Sequence, residues 1–266
     1  RAVPLVASLE PRDATVDDPQ FTEPEAALRA AGISVGRHIL NMSDGFALDP
    51  DLVPDDADLV VVGNPTNPTG RLHPATDLLA LRRPGRVLVV DEAFMDATDE
   101  SQSLIGSDMD DLLVLRSLTK TYGLAGIRAG YVVGDSQLVA QLAAHQTSWS
   151  VSTPAIAAMI ACTCEEARRF RTELRDDIPA ARADLVDKLK GLGLSVVDSE
   201  APFVLVNTSS LSRDSIRQPL AERGFAVRRG ETFPGLGPTW IRLAVRDLNI
   251  HAELARALSD LTAHRN

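Results

Sequence analysis

Lys120, Asp91 and Asn67 are the residues whose types and surroundings point to chemistry. Lys120 stands in RSLTKTYGLAGIRAGY (Arg116 to Tyr131), close to the hydroxyls of Ser117, Thr119 and Thr121 and eight residues ahead of Arg128. An amine among hydroxyls and a guanidinium makes a cradle for an anion. A solvated surface lysine is the plainer reading, but it leaves the glycines at 123, 126 and 130 unexplained. Glycines there permit close approach of the backbone to a ligand. Asp91 closes the apolar run RVLVVD, where a carboxylate is costly to ionise unless a cation or several donors meet it. A structural salt bridge would satisfy it as well. Asn67 lies in GNPTNPTG (Gly63 to Gly70), whose residue types also suit an ordinary tight turn.

All three segments follow a short apolar strand, the place where ligands of open α/β sheets bind. From Asp18 to about Gly134, helical stretches alternate with such strands. EPEAALRAAG and HPATDLLAL read as helices, SVGRHIL as an extended segment, and LVVVG, RVLVV, LLVLRS and GYVVG as strands. Runs that are apolar on both faces predict a buried, mainly parallel sheet covered by helices. From about Pro154 to Gly193 the pattern changes to long helices, with EEARRFRTELRDDIPAARADLVDKLKGLG charged on one face and broken or kinked at Pro179. SVVDS, PFVLVNT, FAVRRG and TWIRLAV then read as short strands among helices near DSIRQPLAERG and HAELARALSDLTAH. The expectation is an α/β fold: a large domain over residues 1–150 and a smaller α+β domain over 151–266.

The bulk numbers bound the function. With 266 residues, 44% hydrophobic and 24% charged, the chain has enough apolar content for a large core and is not a disordered protein. A formal net charge of −10 argues against nucleic-acid or anionic-membrane partners, which need a basic surface. The apolar runs fall far short of the roughly 18 residues of a membrane span, and nothing resembles a secretory signal, so the cytoplasm is the expected location. Cys162 and Cys164, the two cysteines, fall in PAIAAMIACTCEEA, which reads as helix. Two apart on a helix, they point to different faces, so neither a disulfide nor a metal site follows. The chain begins at Arg1 in a helix-like phrase, AVPLVASL, with no capping residue ahead of it, which suggests missing upstream residues.

In order and wording, NPTNPTG, a strand ending in DEAF, and S-x-T-K-x-x-x-L-A-G-x-R-x-G-Y resemble the fold-type I pyridoxal-phosphate enzymes. Within those, the resemblance is to the branch of histidinol-phosphate aminotransferases and cobalamin-pathway threonine-phosphate decarboxylases. It runs nearly the length of the chain, with PQFTEPEAALRAAG, WSVSTPAIAA and GLGPTWIRLAVR matching further segments. It implies a pyridoxal-phosphate-dependent transferase-like fold, a homodimer and a small amino-acid substrate. Transamination of a small or phosphorylated amino acid is the first expectation, decarboxylation of threonine phosphate the alternative, and a catalytically idle protein of this fold the second alternative. The first two differ in which α-carbon bond stands perpendicular to the cofactor ring, an angle the sequence does not report.

The resemblance also implies roles. Lys120 would hold the cofactor as a Schiff base, with Arg128 beside it lowering the proton affinity of its amine. Asp91 would pair with the pyridine nitrogen, Asn67 with the phenolic oxygen, and Ser117, Thr119 and Arg128 with the phosphate. Phe21 would stack on the ring, though a core phenylalanine fits equally, and Arg242 would take the substrate carboxylate. Trp149 is placed either lining the pocket or in the core. Phe94 stands where many relatives have tyrosine, so a hydrogen bond to the phenolic oxygen is lost. The family's N-terminal arm and the glycine-rich helix start that holds the phosphate have no counterpart here, and the chain is expected to begin partway through that helix. DATVDDP is more polar than a buried strand should be and is expected to be distorted or loosely ordered.

Overall fold

The computed structural model describes residues 2–263; Arg1 and residues 264–266, which include the end of the HAELARALSDLTAH segment, lie outside the described residues. The first half contains α1 (Ala2–Val6), β1 (Asp13–Asp18), α2 (Glu23–Ala30), β2 (Ser34–Ile39), β3 (Leu59–Gly63) and α3 (Ala75–Leu79). It continues with β4 (Val87–Asp91), β5 (Leu112–Ser117), α4 (Leu118–Thr121), β6 (Gly130–Gly134) and α5 (Ser136–Ala144). The second half contains α6 (Thr153–Ala161), α7 (Glu165–Gly191), β7 (Ser195–Val196), β8 (Phe203–Asn207), α8 (Arg217–Glu222), β9 (Arg228–Arg229), β10 (Trp240–Ala244) and α9 (Leu248–Ala263).

Six strands form the larger sheet in the order β2-β1-β3-β4-β5-β6. All neighbours pair in parallel except β5 and β6. Val60, Val62, Leu88, Val90, Leu112 and Val114 pack on one face with Leu78 of α3. Val61, Val89, Leu113 and Leu115 pack on the other with Val6, Leu28 and Leu142 of α1, α2 and α5. Burial on both faces is why these strands lack apolar–polar alternation. The smaller sheet, ordered β7-β8-β10-β9, is antiparallel and packs against α7, α8 and α9 through Leu185, Leu189, Val204, Val206, Leu220, Ile241 and Leu258. Leu40 and Phe46 meet Val197, Leu205 and Trp240 in a separate cluster that joins the two halves. No helix among the described residues is long and apolar enough to cross a membrane.

Three sequence expectations need correction. DATVDD is a regular strand inside the sheet, hydrogen-bonded to β2 on one side and β3 on the other. Its two buried carboxylates are partly compensated by partners on the neighbouring strand, although Asp17 Oδ2 and Asp18 Oδ2 accept no hydrogen bond among the described residues. Asp17 Oδ1 lies 2.6 Å from His38 Nδ1, and Asp18 faces Arg37 at 3.5 Å. Arg37 in turn bridges to Glu25 at 2.8 Å. Pro179 does not break its helix, since α7 runs unbroken for 27 residues through it. A proline in a helix interior costs about 3 kcal/mol, and the burial of Ile178, Leu185 and Leu189 on the same helix offsets that. The single helix read across PAIAAMIACTCEEA is two helices. Cys162 and Cys164 are free thiols at the junction of α6 and α7.

The halves also touch at Gly70, where φ is +75° and an added Cβ would stand 2.0 Å from Ser199 Oγ. Glu200 N–H donates to the Gly70 carbonyl there at 2.9 Å. Gly70→Ala is therefore expected to destabilise the fold by about 1–3 kcal/mol, through left-handed backbone strain and the clash together. Urea unfolding of the two proteins measures it, and equal midpoints would show that the contact yields freely.

Candidate active site

The C-terminal ends of β3, β4 and β5 lie side by side because the strands are parallel and in register, with Gly63 opposite Asp91 and Asp91 opposite Leu115. Every segment singled out in the sequence leaves the sheet at this edge. The turn after β3 is held by side chains, not by its glycines alone. Leu48 N–H donates to His73 Nδ1 at 3.3 Å, so the ring proton sits on Nε2 and is given to Thr66 Oγ1, 3.1 Å away. Thr66 Oγ1 donates in turn to the Gly63 carbonyl at 2.6 Å. Asn64 grips the His73 backbone at both N–H and C=O, at 2.7 and 3.2 Å. Burial, with Arg71 nearby, pushes His73 down to about 4, which keeps this relay neutral. Asn67 projects from the fixed turn.

A cleft of about 450 Å³ opens at this edge, lined by Phe21, Asp91, Ser117, Thr119, Lys120 and Arg128 among others. A smaller one of about 50 Å³ shares Phe21, Asp91 and Lys120 with it and adds Gln20, Asn67 and Phe94. Seven of the eight residues expected at a site thus line two adjoining cavities. Arg242 lines neither, but its guanidinium is hydrogen-bonded to Asn67 Oδ1 and stands over the Phe203 ring at 4.7 Å. Trp149 is neither in the pocket nor in the core; it is 96% exposed.

Burial pushes the Asp91 carboxyl up to about 6, opposed by the Ala93 N–H at 3.1 Å and by the charge of Lys120. Lys120 is held below the ordinary lysine range, first by burial, then by Arg242, with Arg128 contributing less than Arg242. The sequence identified Arg128 as the neighbour responsible; the larger charge effect comes from the other half of the chain. Lys120 Nζ also lies over the Phe94 ring at 5.4 Å, and Phe94 packs edge-on against Phe203 at 4.9 Å. Ser117 Oγ and Thr119 Oγ1 are 2.8 Å apart. Arg128 is exposed, has φ +60° and donates to the Ala125 carbonyl at 3.1 Å.

This donor set suits pyridoxal phosphate. An isolated carboxylate with raised proton affinity matches a basic ring nitrogen, hydroxyls and a guanidinium match a phosphate, and a partly desolvated amine matches an aldehyde.

One residue escaped the sequence reading. β9 and β10 pair with Arg228 directly opposite Arg242, so two guanidiniums share one face of the sheet. Like charges in that position repel, and burial with Arg228 beside it lowers Arg242 to about 10. Neither forms an ion pair among the described residues. Only strand register brings them together, and the run FAVRRG does not state its register.

A family model described as aminotransferase class I and II matches residues 2–259. Over 243 residues the chain is 47% identical to a protein of Mycobacterium bovis (strain ATCC BAA-935 / AF2122/97) named histidinol-phosphate aminotransferase, covering 91% of this chain and 66% of that protein. The chain thus spans slightly less than two thirds of that relative's length. Its fold superimposes on the crystal structure of the histidinol-phosphate aminotransferase from Clostridium acetobutylicum with a TM-score of 0.89 at 26% identity, covering 98% of this chain and 81% of that one. The L-threonine-O-3-phosphate decarboxylase from Porphyromonas gingivalis gives a TM-score of 0.80 at 23% identity, covering 98% and 80%, a likeness of fold alone.

The raised Asp91 carboxyl has a consequence for stability. A carboxyl that binds its proton more tightly when folded favours the folded state while protonated. That contribution is complete below the ordinary value of 3.8 and is lost as pH rises through about 6. In cofactor-free protein, Asp91→Asn is therefore expected to be more stable than the parent above pH 6, by about 1–3 kcal/mol, and to match it near pH 4. Unfolding curves between pH 4 and 8 test this, and a constant difference across the range would contradict it.

Proposed function

The chain belongs to the class I and II aminotransferases, and on that premise we propose that it transfers the amino group of a small or phosphorylated amino acid with pyridoxal phosphate as cofactor, as the histidinol-phosphate aminotransferases do. The observation that carries this reading is the convergence of Lys120 and Asp91 on one cleft, with Arg242 brought to its rim through Asn67. When bound, pyridoxal phosphate supplies an electron sink for negative charge at the substrate α-carbon.

The protein's own residues take the remaining tasks. Lys120 Nζ, held below the ordinary lysine range by burial and by Arg242, would hold the cofactor by its aldehyde carbon and would be placed to take up the proton released at the substrate α-carbon. The Asp91 carboxylate would hold a proton on the ring nitrogen. Asn67 would donate from its amide to the phenolic oxygen while its carbonyl accepts from Arg242. Ser117, Thr119 and Arg128 would bind the phosphate, and Phe21 would cover a ring face. Phe94 has no hydroxyl to offer the phenolic oxygen, so Asn67 would serve it alone.

Arg242 would take the substrate carboxylate by its planar fork. Arg228, directly across the strand pair, leaves a second positive group for another anion, which favours a phosphorylated substrate. We divide the chain into a cofactor-binding domain over 1–150 and a smaller domain over 151–266, and place the protein in the cytoplasm. A homodimer is also proposed. Its support is the outward face of α6, where Ile156 and Ile160 are exposed by 48% and 67%, next to exposed Val151 and Trp149.

The deciding experiment supplies the protein and pyridoxal phosphate with histidinol phosphate and 2-oxoglutarate, and in parallel with threonine phosphate alone. Glutamate formation is expected from the first. Release of carbon dioxide from the second would assign decarboxylation instead, and neither product would mark an idle protein. Lys120→Ala is expected to fold but to lose amino transfer on the order of 10²–10⁴-fold, with no cofactor retained on the chain after borohydride reduction. Replacing Arg228 with Gln should raise KM for the phosphorylated donor by about tenfold or more, the scale of one charge-assisted hydrogen bond, while leaving an unphosphorylated donor unaffected. Sedimentation is expected to give a dimer, and a monomer would remove that part of the proposal.

A further inference from the structure

The segment that carries Lys120 is a helix of only four residues, Leu118–Thr121. One helical turn cannot hold itself, since nucleation fixes several backbone angles for a single hydrogen bond. Its position must be imposed from outside. Ahead of it, the Arg116 guanidinium is buried and donates to Glu92 at 2.9 Å, Asp96 at 2.9 Å, Glu100 at 2.8 Å and Ser103 at 3.0 Å. At its last residue, Thr121 Oγ1 donates to Asp96 Oδ2 at 2.9 Å.

Asp96 is thus bonded on both sides of Lys120, with Oδ1 on Arg116 and Oδ2 on Thr121. It stands five residues after Asp91 on the same segment. In between, Glu92 grips Arg116 and Phe94 lies beneath Lys120 Nζ. The stretch from Asp91 to Asp96 therefore presents the carboxylate across the cleft, the ring under the amine and a two-armed clamp on the amine's own turn.

We propose that Asp96 and Thr121 form a positioning clamp that sets where the Lys120 amine stands relative to Asp91 and Phe94. Thr121 does not itself line the cleft; it acts through the backbone of its neighbour. The inference rests on Lys120 being the cofactor-holding lysine only for its effect on turnover. The clamp itself can be read without cofactor.

Replacing Thr121 with valine keeps the shape, removes the hydroxyl and changes no charge. The charges that act on Lys120 are Arg242 and Arg128, which lower its proton affinity, and Asp91 and Glu23, which raise it. All remain in the variant, so any change in Lys120's titration reports a change in its position. The test has two arms, applied to Thr121→Val and to Thr121→Ser, which restores the hydroxyl. In the first, the full chain freed of pyridoxal phosphate is labelled competitively with acetic anhydride across pH, and the Lys120 peptide is quantified by mass spectrometry. The midpoint is expected to rise toward the ordinary lysine value in Thr121→Val, by up to roughly one pH unit, and to return in Thr121→Ser. In the second, amino transfer by the loaded enzyme is expected to lose kcat by about tenfold in Thr121→Val, the scale of one hydrogen bond, with KM unchanged, and to recover in Thr121→Ser.

An unchanged labelling midpoint overturns the clamp, even if the melting temperature falls, because a merely structural hydroxyl would lower stability without moving Lys120. Failure of Thr121→Ser to restore the midpoint overturns it as well. Should Thr121→Val not fold, Thr121→Ala serves in its place under the same criteria. If the parent shows no amino transfer while the midpoint shifts and recovers, the clamp stands and the proposed activity falls. Normal transfer with no shift leaves the activity standing and overturns the clamp.

Discussion

Two opposite charges held at the ends of neighbouring parallel strands are the constraint on which the rest of the structure depends. Asp91 closes β4, and Lys120 follows the last residue of β5 by three positions. Bringing a carboxylate and an amine out of bulk water is unfavourable for both, and the cost shows as a carboxyl pushed up and an amine pushed down in proton affinity. The same cost marks the pair as a candidate for chemistry, because proton affinities shifted by burial and by charged neighbours cluster at functional sites. The sheet can impose this because its parallel register brings every strand's C-terminal end to one edge.

A second layer of buried charge supports the first. Arg116, Glu92, Asp96 and Glu100 are joined by ion pairs on the segments that carry Asp91 and Lys120, and burial raises Glu92 although Arg116 stands against it. A buried ion pair is weak evidence for stability, since desolvation consumes much of the Coulomb gain. Its directional hydrogen bonds instead fix which way each chain segment leaves the sheet. Arg171 of α7 reaches the same carboxylates at 3.8 to 4.0 Å, so the outer helix senses this layer too.

The remaining features are contributed across the two halves of the chain. Arg242 on the smaller sheet bonds to Asn67 on the larger one, Phe203 packs against Phe94, and Ser199 crowds Gly70. Each contact pairs a residue beside the cleft with one more than 100 positions away. Any relative movement of the halves therefore alters the position of the Arg242 guanidinium and the electrostatics of the Lys120 amine together.

The sequence by itself determined the parallel sheet and the smaller sheet after it, which follow from short-range signals: doubly apolar strands and turn residues after them. Lys120, Asp91 and Asn67 stood out as polar residues after such strands, whereas Phe21 was named only through the family resemblance; the fold brings all four to two adjoining cavities. It misjudged DATVDD, because polarity was visible while the partners His38 and Arg37, twenty-odd residues away, were not. It also overrated Pro179, whose lost hydrogen bond is local while the burial that outweighs it is not. What only the tertiary structure decided were the pairings without a sequence signature: Arg228 opposite Arg242, Asp96 on both sides of Lys120, and Arg242 rather than Arg128 as the main charge on the amine. Each is set by strand register or by the meeting of distant segments, and such distances come from packing the whole chain, not from the spacing of residues along it.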